Sequence, residues 1–160
     1  MSSDMVSVTA MLRAATPMVD TLGIEVLELD TDHAVLRLPN LSTTQNHVGG
    51  PHAGAIFTAG ESAAAALMVA RFGHLIARDV EPAVGLAVKG EIAWSKLVTT
   101  DVLLTATSTS HTDEVEAEFL NGGKPQWTTD IVFRRSNDDA ECARMSVVLT
   151  LVRPRPPTAS

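Results

Sequence analysis

The stretch NHVGGPHAGAIFTAGESAAAALMVARF, residues 46–72, decides the fold of this chain. It begins as a polar, glycine-rich loop and continues from His52 as an apolar run in which small residues dominate. Small residues let neighbouring backbone approach a helix closely, so we expect a helix over residues 52–72 that is buried on most sides and stops at Gly73. The one acid in this run, Glu61, is costly on an apolar helix unless it has a partner or a task.

Weaker apolar patterns lie on both sides of this helix. They predict a frayed start over residues 1–5, a helix over residues 8–22 that Pro17 interrupts and Gly23 ends, and a polar loop over residues 39–51. Alternation and turn composition predict four or so strands after the long helix and two before it. The expected strands cover residues 26–29, 34–38, 84–94, 102–108, 115–120, 127–134 and 143–152. Antiparallel strands around one helix indicate an α+β domain.

Composition limits the classes of protein to consider. The 160 residues predict a single domain with an ordered core over about residues 8–153 and a disordered, proline-rich tail over residues 153–160. No apolar run approaches the length of a membrane span and no signal peptide is evident, so we expect a cytoplasmic protein without a membrane partner. The net charge of −7 argues against nucleic-acid binding. The single cysteine, Cys142, is expected in the core.

The loop and the helix together suggest acyl chemistry. Hydrolysis of an ester or thioester needs a base or nucleophile and fixed donors for the charge that develops on oxygen. The start of the helix offers the free N–H groups of Ala53 and Gly54, with further donors from Asn46 and from a histidine ring. Glu61 is the candidate base. The histidines show no zinc-like spacing, and we expect neither a metal ion nor a cofactor.

The spacing of these groups predicts an oligomer. Eight residues of helix separate Ala53 from Glu61, which places them roughly 12 Å apart along the axis. Both cannot touch one carbonyl group from the same chain. If both are catalytic, Glu61 of one chain faces the amide of another, as in a two-fold dimer with two equal sites.

These residues resemble the motif of the hotdog-fold acyl-CoA thioesterases, in particular the PaaI-like group of the phenylacetate pathway. That motif has an asparagine, a glycine-containing loop, His-Gly-Gly, and an acid nine residues after the histidine. Asn46, Gly49, His52, Gly54 and Glu61 match it here. The resemblance covers roughly residues 10–152 and implies a curved antiparallel sheet wrapped around one long central helix.

The resemblance also implies roles. Glu61 is the expected general base or nucleophile, the Ala53 and Gly54 amides form the oxyanion hole, Asn46 polarises the carbonyl or positions water, and His52 orients the loop. The implied substrate is an acyl-CoA whose pantetheine arm passes between the subunits of a homodimer, often paired further into a homotetramer.

Four further residues are candidates for contact with substrate. His47 and Gly49 lie in the loop, and Phe57 lies one turn before Glu61. Lys89 follows on a later strand, where it either approaches the ligand or remains a solvated lysine. Aromatic residues make up only 4% of the chain and tyrosine is absent, which favours an aliphatic over an aryl acyl group.

Two departures from the motif leave other functions open. Ala53 replaces the first glycine of His-Gly-Gly, and Ala65 stands where some relatives have a water-holding Ser or Thr. One alternative is a hotdog dehydratase or hydratase, because His47 and Glu61 have the fourteen-residue spacing of its acid–base pair, although the surrounding loop does not match. The other is a non-catalytic acyl-binding protein with the same fold.

Overall fold

The computed structural model describes residues 3–154, which form four helices and six strands. The helices are α1 (Ser3–Ala15), α2 (Pro17–Thr21), α3 (Ala53–Ile76) and α4 (Thr112–Leu120), with one 3-10 turn over Ser42–Thr44. The strands are β1 (Glu25–Leu29), β2 (His33–Leu38), β3 (Val84–Trp94), β4 (Val102–Thr107), β5 (Gln126–Arg135) and β6 (Glu141–Val152).

The strands form one antiparallel sheet in the order β1-β2-β4-β5-β6-β3. Every second side chain of the inner strands is buried against α3, as the period of two requires. The curved sheet wraps around this helix, which confirms the predicted α+β hotdog architecture. Cys142 is buried in the core as predicted.

The small residues of α3 are explained by close packing on the sheet. A Cβ atom at Gly60 would lie 2.5 Å from Met145 Sδ and 2.8 Å from Phe133 Cζ, which real contacts do not allow. Ala59 and Ala63 are fully buried on the same side. Larger residues at these positions would push the helix away from the sheet, so the predicted close approach is confirmed.

The edge strand β3 lies beside α3 and carries a β-bulge. Gly85 and Gly90 face the helix, where a Cβ would collide with Met68 and Phe57 respectively. Between them the pairing with β6 shifts at Val88, which has no partner residue. The bulge lets both glycines face inward although five positions separate them, because one extra residue reverses the alternation of faces.

The first helix starts earlier than predicted. Residues 4 and 5 lie inside α1, and Asp4 stabilises its first turn by complementing the helix dipole. The expected frayed start was therefore wrong for residues 3–5. Pro17 breaks the helix as predicted, and it stands at the first position of α2, where a missing N–H costs nothing.

Two other sequence predictions were wrong. Residues 115–120 form most of α4, not a strand, because Val115 and Phe119 are buried one turn apart and acids occupy the first turn.

Gly73 does not end α3, where the sequence predicted that the helix would stop. The helix kinks at Phe72, whose ring packs edge-on against Trp127, and then continues to Ile76 because Leu75 is also buried.

By length and composition alone, α3 is long and apolar enough to cross a membrane, although the sequence predicted no apolar run of that length. The core helix of a globular fold meets the same criteria, and 56% of the apolar stretch in α3 is buried inside the protein. At the C-terminus, Arg153 is anchored by a hydrogen bond to Phe119 O and lies over the Phe119 ring. Arg153 is the residue that the expected core and the expected tail share, and it packs with the core, whereas residues 155–160 lie outside the described part.

Candidate active site

Asn46 organises the glycine-rich loop that leads into α3. Its side-chain oxygen accepts hydrogen bonds from the backbone N–H groups of Val48 and Gly50 at 3.0 and 3.2 Å. Its amide nitrogen donates weakly to Pro51 O at 3.4 Å. Gly49, at φ +77°, makes the turn between them in a conformation that favours glycine. The side-chain oxygen of Asn46 therefore holds the loop in its shape. Only the side-chain N–H group, which Pro51 O accepts weakly, remains for a contact with substrate.

A second asparagine, which the sequence analysis did not single out, ties this loop to the rest of the fold. The Asn40 amide donates to Gly49 O and to Thr99 O, both at 3.0 Å. Nearby, Gly50 packs so tightly on the carbonyl of Val98 that no side chain would fit. Asn40 stands just after β2 in a loop of polar composition, so no sequence pattern distinguishes it.

His52 caps the start of α3. Its Nδ1 accepts a hydrogen bond from the backbone N–H of Gly54 at 3.0 Å. This occupies one of the two amides predicted for the oxyanion hole. The N–H of Ala53 makes no hydrogen bond to any residue from 3 to 154, and Ala53 is exposed. Ala53 is therefore the better-placed donor for a developing oxyanion.

A small pocket of about 130 Å³ lies at this end of α3. Asn46 and Ala53 form one side, and the end of β3 with the segment after it forms the other. Trp94 is 52% exposed there, and Lys96 borders the pocket without a salt bridge to any residue from 3 to 154. The pocket is lined by Asn46, Pro51, Ala53, Ile56, Trp94, Lys96, Leu97 and Val98.

Glu61 lies two turns further along α3, half-buried and on the edge of the helix that faces β3. Within residues 3–154 its carboxylate has no hydrogen-bond or salt-bridge partner. Burial raises its pKa above the ordinary value of 4.5 because the charged form loses hydration. An unpaired carboxyl group with a raised pKa makes Glu61 a candidate for the general base.

The bulged part of β3 runs past the turn that carries Glu61. Phe57 and Met68, on either side of Glu61, contact Gly90 and Gly85, so residues 86–89 lie opposite the acid. Lys89 is on the other face of the sheet, where it pairs with Glu91 at 3.0 Å. The bulge turns the side chain of Lys89 away from α3, so the predicted contact of Lys89 with a substrate at Glu61 has no support in this geometry.

One protomer does not bring the whole predicted site together. Glu61 is absent from the pocket that contains Ala53, as expected from eight residues of uninterrupted helix between them. His47 is exposed and forms no hydrogen bond with Glu61. Among the described residues, no group of three His, Cys, Asp or Glu side chains is placed to hold a metal ion.

Comparison with known families shows which family the chain belongs to. The family model of DUF4442, described as a domain of unknown function, matches residues 5–151. The chain belongs to the DUF4442 family. No curated protein matches the sequence. The match of this DUF4442 chain spans every element from α1 to β6 and therefore includes both the pocket and Glu61.

Solved structures share the fold of this DUF4442 protein at low sequence identity. A thioesterase from Haemophilus influenzae has a TM-score of 0.68 and 15% identity, covering 93% of this chain and 91% of its own. A mutant thioesterase from Pseudomonas aeruginosa has a TM-score of 0.71 and 16% identity, covering 91% and 94%. A Chlorobaculum tepidum protein of unknown function reaches a TM-score of 0.79 at 11% identity, covering 94% and 97%. These similarities show that the chain shares the hotdog fold of these proteins.

Proposed function

We propose that this protein is an acyl-CoA thioesterase that works as a homodimer, with each site built from two chains. Glu61 is the general base or the nucleophile, and the N–H of Ala53 receives the oxyanion. Some of its structural neighbours are thioesterases, which agrees with a hydrolase. The observation that carries the proposal is the unpaired, half-buried Glu61 carboxyl group on an otherwise apolar helix.

The chemistry can follow two balanced routes. As a base, Glu61 removes a proton from water while the water oxygen bonds to the thioester carbon, and the C–S bond then breaks. The thiolate takes up the proton, leaving a carboxylic acid and a free thiol. As a nucleophile, the Glu61 oxygen bonds to the carbonyl carbon and the C–S bond breaks, which releases the thiolate and leaves a mixed anhydride. Water then adds to the acyl carbon of the anhydride, the bond to the Glu61 oxygen breaks, and a proton from this water goes to the thiolate, so the products are again a carboxylic acid and a free thiol. In both routes the oxyanion needs the donor that Ala53 supplies.

The edge strand β3 supports a dimer. It is 11 residues long, lies at the end of the sheet, and exposes apolar side chains such as Leu86 and Val88. An exposed apolar edge of this length invites pairing with another strand. Antiparallel pairing of two β3 strands around a two-fold axis would bring two α3 helices side by side, with Glu61 of each near the Ala53 end of the other.

Lys96 supports a phosphate-bearing substrate such as an acyl-CoA. Eight of the eleven Lys and Arg side chains in residues 3–154 are engaged by carboxylates or backbone carbonyls, and Arg78, Lys96 and Lys124 have no salt bridge there. Only Lys96 of these three borders the pocket at the start of α3. Lys96 interacts electrostatically with Asp138 and Glu141 but forms a salt bridge with neither, so its ammonium group keeps its hydrogen-bond donors for a phosphate.

The test is release of free thiol from short, medium and long aliphatic and aryl CoA thioesters by the wild-type protein and by Glu61→Gln. We expect turnover of at least one thioester and its loss, by about a hundredfold or more, in the variant. Size-exclusion chromatography and circular dichroism establish that the variant remains folded with the same oligomeric state.

Other outcomes would contradict the proposal in different ways. If a folded dimer hydrolyses none of the thioesters but binds them, a non-catalytic acyl-binding protein replaces the enzyme. If it hydrates an enoyl-CoA and depends on both His47 and Glu61, it is a hydratase. Turnover that survives Glu61→Gln would remove Glu61 from the chemistry.

A further inference from the structure

An apolar groove of about 280 Å³ separates α1 from α3. Its walls are aliphatic or thioether side chains, without a charged group and without an aromatic ring. The α3 wall is low because Ala66 and Ala70 present only methyl groups. The full lining is Val8, Met11, Leu12, Ala15, Leu29, Ala66, Val69 and Ala70, and we call this feature the α1–α3 groove.

The groove is continuous with the part of α3 that carries Glu61. Glu61, Ala65 and Val69 follow one another at four-residue intervals, so they lie along one side of the helix. None of the three is fully covered by the rest of the protomer, and Val69 is 50% exposed. Val69 also forms the near wall of the groove. A ligand held at Glu61 thus meets an apolar path that passes Ala65 and enters the groove at Val69.

We propose that the α1–α3 groove holds the far end of a long aliphatic acyl chain whose thioester is held at Glu61. This inference rests on the proposed function and names its substrate class. The first lining residue of the groove on α3 is Ala66, roughly 7.5 Å along the helix axis from Glu61, and Val69 follows at roughly 12 Å, so an acyl group of four carbons does not extend into the groove. Longer chains gain apolar burial there that short chains cannot gain, which selects for chain length.

The shape and lining of the groove favour an alkyl chain over other occupants. A space of about 280 Å³ lined by methyl groups and flexible Met11, with no aromatic ring to stack on, suits a flexible alkyl chain better than an aromatic ring. Without a polar lining group, the groove also has no donor or acceptor for the backbone of a peptide.

The test uses a substitution that narrows the groove, at a position where the fold tolerates a large side chain. Ala15→Phe adds a ring at the end of α1 on the groove side, and Ala15 is exposed, so folding is not at risk. The matched control is Ala14→Phe, at the neighbouring exposed position of α1 that does not line the groove. kcat/KM is measured with butyryl-CoA and dodecanoyl-CoA for the wild-type protein and both variants.

We expect Ala15→Phe to lower kcat/KM for dodecanoyl-CoA by about tenfold while butyryl-CoA changes by less than about twofold. Ala14→Phe is expected to change neither by more than about twofold. The non-hydrolysable thioether dodecyl-CoA should lose affinity to the same extent in Ala15→Phe. A second variant, Val69→Asn, places a polar group at the mouth of the groove and should act in the same direction.

Several results would overturn the inference while leaving the proposed function intact. Equal loss for both chain lengths would place the effect at the thioester and not in the groove. Unchanged kcat/KM for dodecanoyl-CoA would leave the groove without an acyl chain. A changed oligomeric state in Ala15→Phe but not in Ala14→Phe would make the groove a protein interface. Failure of the proposed function itself is distinct, because the wild-type protein would then hydrolyse neither thioester.

Discussion

At the scale of single residues, Glu61 is where the sequence of α3 departs most from what packing requires. Most surrounding positions are Ala, Gly and other apolar residues, and the hydroxyl group of the neighbouring Ser62 donates to Thr58 O, so the carboxyl group finds no partner in the described part of the chain. Burial raises its pKa because the fold penalises the charged form. A residue that costs stability and satisfies no other group is expected where function demands it.

Replacing the acid should therefore stabilise the protein. Because the folded-state pKa of Glu61 lies above its ordinary value, the cost is absent in acid, where both states are protonated, and is complete above the folded-state pKa. Glu61→Gln should raise the free energy of unfolding near neutral pH by less than about 1 kcal/mol, since the side chain is only half-buried. Urea denaturation from pH 4 to pH 8 measures this.

The stabilisation by Glu61→Gln should become smaller as the pH falls towards 4.5, the ordinary pKa of a glutamate side chain. Glu91→Gln, on the exposed outer face of β3, is the control and should leave stability nearly unchanged at all pH values. A destabilising effect of Glu61→Gln at neutral pH would show that the carboxylate has a stabilising partner in the assembled protein.

Lys96 offers a second test at the residue scale. If it binds a phosphate of CoA, Lys96→Ala should raise KM for acyl-CoA by about two- to fivefold, the range of an exposed ion pair, with kcat unchanged. The effect should fade in high salt. Lys124→Ala is the matched control, since that lysine also lacks a salt bridge among residues 3–154 but does not border the pocket.

The N-acetylcysteamine thioester of the same acyl group separates the explanations, because it lacks the nucleotide phosphates. Its KM should be the same for the wild-type protein and for Lys96→Ala. An equal rise in KM for both thioesters would mean that Lys96 shapes the pocket instead of binding a phosphate.

At the scale of elements, the alternation of strand faces decides which side chains reach α3. The bulge at Val88 places Gly90, and not Lys89, under Phe57.

The inner face of β5 buries two polar atoms, which is another consequence of the alternation of strand faces. Trp127 Nε1 and Thr129 Oγ1 have no hydrogen-bond partner within residues 3–154. Each such atom is a cost that packing around it must offset.

Thr129→Val should consequently raise the free energy of unfolding by about 1 kcal/mol, since it removes an unpaired buried hydroxyl group at nearly constant shape. Thr105→Val, on the outward face of β4, is the control and should change stability by less than about 0.5 kcal/mol. Both are measured by urea denaturation at one pH. Destabilisation by Thr129→Val would mean that the hydroxyl group has a partner, such as a buried water molecule.

At the scale of the whole molecule, the proposed site requires two chains. One α3 helix carries both Glu61 and Ala53, but about two turns of helix separate them, and the pocket at Ala53 does not include the acid. The exposed β3 edge gives the means of pairing. The dimer and the shared site are thus one hypothesis with one decisive experiment.

That experiment mixes two inactive variants. Ala53→Pro removes the proposed oxyanion donor while suiting the first position of a helix, and His52 already has the extended ψ of 144° that a following proline requires. Glu61→Gln removes the acid. Each variant alone should be inactive, whereas an equal mixture refolded together should recover about one quarter of wild-type activity, from one intact site in half of the dimers.

Two matched measurements make the result unambiguous. Refolding each variant alone must leave it inactive, and native mass spectrometry of the mixture measures how much mixed dimer forms, because the two variants differ in mass. If exchange is complete but the mixed variants stay inactive, Ala53 and Glu61 do not act together across two chains.

The sequence by itself determined the elements whose signals are local. The glycine-rich loop and the small residues of α3 follow from backbone freedom and close packing, and the donors at the start of α3 follow from the free amides at a helix start. Residues 115–120 misled because their apolar alternation is too short to separate a strand from a helix, and only the burial of Val115 with Phe119 made them α4.

Only the tertiary structure decided the geometry of the candidate site. The choice between Ala53 and Gly54 as oxyanion donor depends on where the His52 ring lies, and the side taken by Lys89 depends on one bulge residue, Val88. The α1–α3 groove depends on two helices far apart in sequence. These features arise from contacts between distant segments, which local propensities do not encode, whereas helices and turns arise from interactions between near neighbours in the chain.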